Sequence, residues 1–245
     1  MNPPSIHVQI TSDIICPWCY VGKRRVERAM RQVPEAQYKV TWHPFILDPT
    51  LSDTPESKRE RLIRKFGASR VPAMESYLKQ IGEREGLQLS EDGLVASTVL
   101  CHQLIYWAGQ HGKQDQVVEG IFKAYFEQKK SPADQDMLLD VAEAAGLSRQ
   151  DAARVLSQGE VMDEVAHEAR EAQKRGVHGV PHITIFRDDQ ESKARRELNG
   201  AQETETLVKV FRSLLDTTST SPPSSSPEDG QTCEDKEGGD DICPM

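Results

Sequence analysis

The sequence predicts an α/β fold that opens strand–helix–strand, closes strand–strand–helix and carries a long helical block between. Three observations predict it. Residues 7–12 alternate with period two, and strand character returns at 182–186. Residues 55–175 carry apolar residues at helical spacing throughout, and the changes of period fall at Pro or Gly. The simplest account is one α/β domain, residues 5–54 and 176–216, interrupted by an all-helical insertion, residues 55–175. The 245 residues suffice to bury such a core without covalent staples, and no internal repeat is apparent.

Each element has its own signal. In residues 7–12 (HVQITS), Val8 and Ile10 share one face of a strand. Pro17 suits a first helical position, where a backbone N–H has no intrahelical partner anyway. Val26, Ala29, Met30 and Val33 then recur at helical spacing, which predicts a helix over 17–32. Residues 38–47 (YKVTWHPFIL) are rich in β-formers and end at the Asp48-Pro49 turn. Apolar stripes follow at Leu100, Leu104, Trp107 and Ala108, and at Val118, Ile121, Phe122 and Tyr125. Two more run through Met137, Leu138, Val141, Ala142 and Ala145, and through Val161, Val165, Ala169 and Ala172. Ser148, with Asp151 three residues on, resembles a capping box after the break at Gly146. Glu197 and Leu198 begin a weaker edge strand ending at Gly200, and Leu207, Val210, Phe211, Leu214 and Leu215 mark a last amphipathic helix.

Composition narrows the function. The net charge is −9, and seven acids against one base lie within residues 217–245, leaving the body nearly neutral. Without clustered Lys and Arg, a dedicated nucleic-acid binder is not expected. No apolar run approaches the roughly 18 residues of a membrane span. Asp13 interrupts the only early apolar stretch, so a secretory signal is not expected and a cytoplasmic location is. Residues 217–245, rich in Ser, Pro, Gly and acids, are expected to be a disordered tail.

Five cysteines stand at 16, 19, 101, 233 and 243, an odd count that suggests no disulfide framework. Cys16-Pro17-Trp18-Cys19 falls where a strand hands over to a helix. Orphan N–H groups and the helix dipole there stabilise a thiolate, which is the reactive form. Cys16 is thus the expected low-pKa nucleophile, and Cys19 the less exposed resolving thiol that closes the disulfide. Half of a zinc site, a buried structural pair and coincidence are the competing readings. A metal site is not expected, because no second Cys-x-x-Cys or His pair stands at ligand spacing. Pro181 stands just ahead of a core strand, where Pro marks a special turn. A cis Val180–Pro181 bond would turn the Val180 backbone toward the thiols, ready to pair with an extended peptide or a thiol tripeptide. Trp18 lies between the thiols and His182 follows Pro181, so both join Pro17, Val180 and Pro181 as candidate substrate contacts. Cys101 reads as a small buried hydrophobe, His102 as a packing histidine or a cleft base, and Lys23-Arg24-Arg25 as a solvated helix face. Cys233 and Cys243, separated by nine residues that include Gly238-Gly239, read as incidental thiols or as an auxiliary redox pair.

The run Ser12-Asp13-Ile14-Ile15-Cys16-Pro17-Trp18-Cys19-Tyr20-Val21-Gly22-Lys23-Arg24-Arg25 resembles the opening of the FrnE-like branch of the DsbA-type thioredoxin-fold oxidoreductases. Trp42-His43-Pro44-Phe45-Ile46-Leu47-Asp48-Pro49 resembles the family's second strand, and residues 102–108 and 124–126 its helical insertion. Residues 176–181 with 199–202 resemble its closing segment. The resemblance implies a thioredoxin fold with a helical insertion, disulfide exchange at Cys16 and Cys19, and a cis Pro181. Relatives tend to carry Asn-Thr-x-Asp-Ala where this chain has Ser97-Thr98-Val99-Leu100-Cys101, and an apolar or aromatic residue in place of His182. The same superfamily includes glutathione transferases of the kappa class and 2-hydroxychromene-2-carboxylate isomerases, which place Ser at the position of Cys16. The retained thiol pair favours redox exchange with protein or glutathione thiols and disulfides, without a tightly bound cofactor. Glutathione conjugation or isomerisation, and a chaperone-like peptide-binding module, are the alternatives. Trp18 cannot supply the imidazolium that a His at its position would, so a disulfide less oxidising than the DsbA type is expected.

Overall fold

The structure, a computed structural model, describes residues 3–90, 92–188 and 195–216. Strand β1 (Ser5–Ser12) leads through helix α1 (Pro17–Gln32) into β2 (Gln37–Pro44), parallel to β1 with Val8 opposite Val40. Strand β5 (His182–Arg187) lies antiparallel on the other side of β1, and β6 (Arg196–Asn199) antiparallel beyond it, giving the order β2-β1-β5-β6. The alternation seen in sequence sets the faces. Val8 pairs with Ile185 and Ile10 with Ile183, all four buried, while His7 on the opposite face stacks on Phe186. Helices α1 and α9 (Thr204–Leu215) pack together, and Phe211 of α9 meets Tyr38 of β2 with ring centroids 5.0 Å apart.

Between β2 and β5 lie α2 (Lys58–Phe66), α3 (Val71–Glu85), α4 (Val99–Gln110), α5 (Gln114–Phe122), α6 (Gln135–Ala144), α7 (Arg149–Gln158) and α8 (Met162–Lys174). The Ser148 hydroxyl caps α7 by accepting from the Asp151 N–H, as its spacing predicted. Two features of this block are not helical repeats. A two-residue ribbon pairs β3 (Glu56–Ser57) with β4 (Leu94–Val95), and residues Lys123–Glu127 form a π turn continuing α5. The π turn buries Ala124, Tyr125 and Phe126 in succession, which a 3.6-residue period does not do. Gln114, at the start of α5, clamps the edge strand β2. It accepts from the Trp42 N–H at 2.9 Å and donates to the Trp42 carbonyl at 2.9 Å, occupying groups an edge strand leaves open. One contiguous core runs from Val8 of the sheet to Leu138 of α6. Among the described residues, no helix is long and apolar enough to cross a membrane.

Register decides where chemistry collects. Ser12, the last residue of β1, sits beside Pro44, the last of β2, while Thr11 faces His182, the first of β5, and His182 faces Asn199 of β6. The segments after β1 and β2 and before β5 therefore meet at one end of the sheet.

Candidate active site

Cys16 is the N-cap of α1, in extended conformation (φ −88°, ψ 112°), and Pro17 occupies the first turn. Its N–H donates to the Asp13 carbonyl at 3.1 Å, and its carbonyl accepts from the Cys19 N–H at 3.1 Å. The turn thus closes over the pair and leaves the two thiols unequal. Cys16 is 6% exposed, whereas Cys19 is fully enclosed. Burial pushes the Cys19 thiol up, and the hydrogen bond and charge of Cys16 push it further. The Asp13 backbone and the Ser12 hydroxyl pull the other way without prevailing. The Val180–Pro181 peptide is cis, and the Cys16 thiol donates to the Val180 carbonyl at 3.5 Å across 164 residues of sequence. Gly22, on the next turn of α1, makes room for this segment: a Cβ there would stand 3.2 Å from Cγ of Pro181. A glycine costs about 1 kcal/mol in a helix interior, so close approach is what its place here provides.

The other candidate side chains are placed as follows. Trp18 is half buried, its ring centroid 5.9 Å from that of Tyr77 on α3, which is 53% exposed. His182 turns Nδ1 to Oδ1 of Asn199 at 2.8 Å rather than to a thiol. Cys101 is completely buried, its thiol donating to the Pro132 carbonyl at 3.3 Å, and burial with the nearby Asp13 charge raises its pKa strongly. Beneath Cys16 lies Asp13, also fully buried. Its Oδ2 accepts from the Leu47 N–H at 2.7 Å, and its Oδ1 lies 3.3 Å from Nε2 of buried His102. Among the described residues no group of three or more His, Cys, Asp or Glu is placed to hold a metal ion.

A buried thiol behind a more accessible one, opposite a carbonyl that precedes a cis proline, is an arrangement suited to disulfide exchange. Comparison with known proteins agrees. The DSBA-like thioredoxin domain model matches residues 7–212, most of the chain. The chain belongs to the DsbA-like thioredoxin family. Its fold is that of the probable DsbA oxidoreductase SCO1869 from Streptomyces coelicolor, with 27% identity and TM-score 0.75 over 89% of this chain and 93% of that one. The cytosolic disulfide reductase DsbM from Pseudomonas aeruginosa shares the fold at 14% identity and TM-score 0.57, over 85% of this chain and 98% of that one. Among curated proteins, YwbO of Bacillus subtilis is 24% identical over 145 residues, 58% of this chain and 68% of YwbO.

Within this DsbA-like domain the structure corrects one expectation. Lys23-Arg24-Arg25 is not a solvated face. Lys23 is 3% exposed and paired with Glu27, Asp115 and Glu119; burial opposes its charge, but these carboxylates outweigh it and hold its pKa above the ordinary lysine value. Arg25 is buried with Nε 2.7 Å from Glu85 of α3, and also donates to the Ala201 carbonyl at 2.8 Å. A charge run reads as solvated when its partners lie far off in sequence, as Glu85 and Asp115 do. In sequence Asp13 stands out as a break in an apolar run and as one position of the family-like opening, without a role of its own, and Tyr77 carries no signal at all. The pair Cys233 and Cys243 and the acidic tail lie outside the described residues.

Proposed function

We propose that this chain is a thiol–disulfide oxidoreductase in which Cys16 attacks or is attacked and Cys19 resolves the mixed disulfide. The placement of Cys16 carries this reading: at the start of α1, 3.5 Å from the Val180 carbonyl, with Cys19 buried behind it. A substrate strand laid along residues 180–182 would use the Val180 backbone for pairing and bring its own sulfur onto Cys16. Trp18 and Pro17 would flank it, and the half-exposed Tyr77 beside Trp18 extends the apolar contact. The substrate class is a protein or small-molecule thiol or disulfide. Glutathione, which a DsbM structure from Pseudomonas aeruginosa contains, is the proposed small-thiol co-substrate. The FrnE-like branch is the proposed subgroup, supported by the run from Ser12 to Arg25, and the cytoplasm the proposed compartment, supported by the odd cysteine count.

The test is insulin reduction in a glutathione buffer. The parent chain is expected to turn over and Cys16→Ser to lose turnover; equal rates in both would end the redox reading. Conjugation of a model electrophile with glutathione would instead mark a transferase. The Cys16–Cys19 potential gives direction. With Trp18 rather than a histidine between the thiols, a value well below the about −120 mV of a DsbA-type oxidant is expected.

A further inference from the structure

A thiol as enclosed as Cys19 cannot trade its proton with bulk water directly, yet resolution requires that it lose one. The surroundings of Cys19 offer a route. The Ser12 hydroxyl favours the Cys19 thiolate, and Ser12 also lines a cavity of about 10 Å³, close to the least that holds one water molecule. The same cavity is lined by His102, His43 and Tyr106, with Trp42, Pro44, Ile105 and Val118 as its apolar walls. His102 is itself buried and oriented: a carboxylate only accepts hydrogen bonds, so the contact from Asp13 places hydrogen on Nε2 and leaves Nδ1 the basic nitrogen. His43, one third exposed, reaches the surface with Nδ1 3.1 Å from Oε2 of Glu168 on α8, itself one third exposed.

We propose that Ser12, the cavity it shares with His102, and His102 held by Asp13 form the proton path of Cys19, opening to solvent past His43 and Glu168. The proposal rests on the reading of Cys16 and Cys19 as an exchange pair. In the resolving step the Cys19 S–H bond breaks and its proton passes by way of the Ser12 hydroxyl and the cavity to His102. The Cys19 sulfur attacks the Cys16 sulfur, the Cys16–Cys19 bond forms, and the bond from Cys16 to the substrate sulfur breaks. The substrate sulfur leaves with the electron pair and takes up a proton from solvent. In the reverse direction Cys19 leaves as thiolate and is reprotonated along the same path. Ser12 and Asp13 are positioning residues, and His102 is the acceptor. The titratable and charged groups facing the path are Asp13 just after β1, Cys16 at the N-cap of α1, His43 on β2, Cys101 and Tyr106 on α4, and Glu164 and Glu168 on α8; α5 lines it with Val118 and holds Asp115 against the Trp42 indole.

The two steps can be read separately with the aromatic disulfide of 5-thio-2-nitrobenzoate, which releases one coloured thiol when Cys16 is modified and a second when Cys19 resolves. The full chain is used with Cys233→Ser and Cys243→Ser, and Cys101 is completely buried, so that the site pair responds first and only its two phases are read. In Ser12→Ala and His102→Gln the first phase is expected within about twofold of the parent, and the second slowed about tenfold or more near neutral pH. That deficit is expected to shrink as pH rises and hydroxide takes over the deprotonation. Ser12→Thr, which keeps the hydroxyl, is expected to hold the parent rate, a recovery that a packing defect would not show. If both phases keep parental rates in Ser12→Ala and His102→Gln from about pH 6 to about pH 9, or if Ser12→Thr is as slow as Ser12→Ala, the path is wrong. An absent first phase in the parent chain would overturn the exchange reading itself, and is distinguishable because the relay affects only the second.

Discussion

Two identical functional groups three residues apart acquire different chemistry from their surroundings. Cys16 keeps contact with solvent and a carbonyl partner, while Cys19 is enclosed and its thiol is raised, first by burial and then by Cys16. Iodoacetamide is therefore expected to label Cys16 well before Cys19 in the reduced chain, and Cys19→Ser to accumulate a mixed disulfide on Cys16. Peptide mapping showing Cys19 modified first would reverse the assignment. Burial of thiols also sets an alkaline limit on stability. Cys101 and Cys19 both hold their protons above the unfolded-thiol pKa of about 8.5, so their contribution is complete below that pH and is lost as pH rises toward the folded values. Cys101→Ala, which removes one such group, is expected to cost stability at neutral pH and progressively less at about pH 9.5. Urea unfolding of the reduced chains checks it, and a gap that stays constant with pH would rule out the thiol as its source. The thiol pair was legible in sequence because its chemistry is local. The contact of Asp13 with His102 was not, because 89 residues separate them and no local spacing links the two.

At the scale of elements, legibility followed period and length. Strand β1 alternates along its length, β5 carries a short β-rich apolar run just after Pro181, and α1 announces itself with Pro17, so both types were readable. The β3–β4 ribbon has two residues per strand and therefore no period to read. The π turn at Lys123–Glu127 inserts a residue into a stripe that sequence alone continues as plain helix. Burial of Arg25 was equally hidden, yet it joins three elements. Its guanidinium ties α1 to Glu85 of α3 and to the Ala201 carbonyl beyond β6, and Arg28 adds a second contact to Glu85 at 2.9 Å. Removing one partner of a buried pair strands the other charge, which costs about 3–5 kcal/mol. Glu85→Ala is expected near the lower end of that range, because Arg25 retains Ala201 and Glu203. A denaturation midpoint unchanged from the parent would show that the pair contributes no net stability. Since α3 also carries Tyr77 against Trp18, a loosened α3 is expected to weaken peptide turnover more than turnover of a small disulfide.

For the whole molecule, the residues to Leu215 form one compact unit, and everything placed near the thiols lies inside it. Sheet, α1, the Val180–Pro181 segment, the Asp13–His102 contact and the Trp18–Tyr77 pair are all supplied before Asp216. Residues 217–245 bring seven acids, one base and the last two cysteines. Those carboxylates disfavour thiolate at Cys233 and Cys243, which weakens them as attacking groups. Sixteen residues, 217 to 232, separate Asp216 from Cys233; a random coil of that length typically reaches about 20–25 Å, and a tether of that reach gives a thiol a millimolar effective concentration. Reach alone therefore does not decide between incidental thiols and an auxiliary pair; reactivity does. Ending the chain after Asp216 is expected to leave the unfolding midpoint and the turnover with glutathione unchanged. A fall in glutathione turnover, with a mixed disulfide between Cys16 and Cys233 or Cys243 trapped from the full chain, would instead assign the tail cysteines a part in the electron path. The charge distribution permits one further separation of the two outcomes. Removing a net −6 from a chain of net −9 leaves a nearly neutral body, so a rate change due only to lost repulsion of anionic glutathione would vanish at high salt. Loss of a covalent relay would persist there.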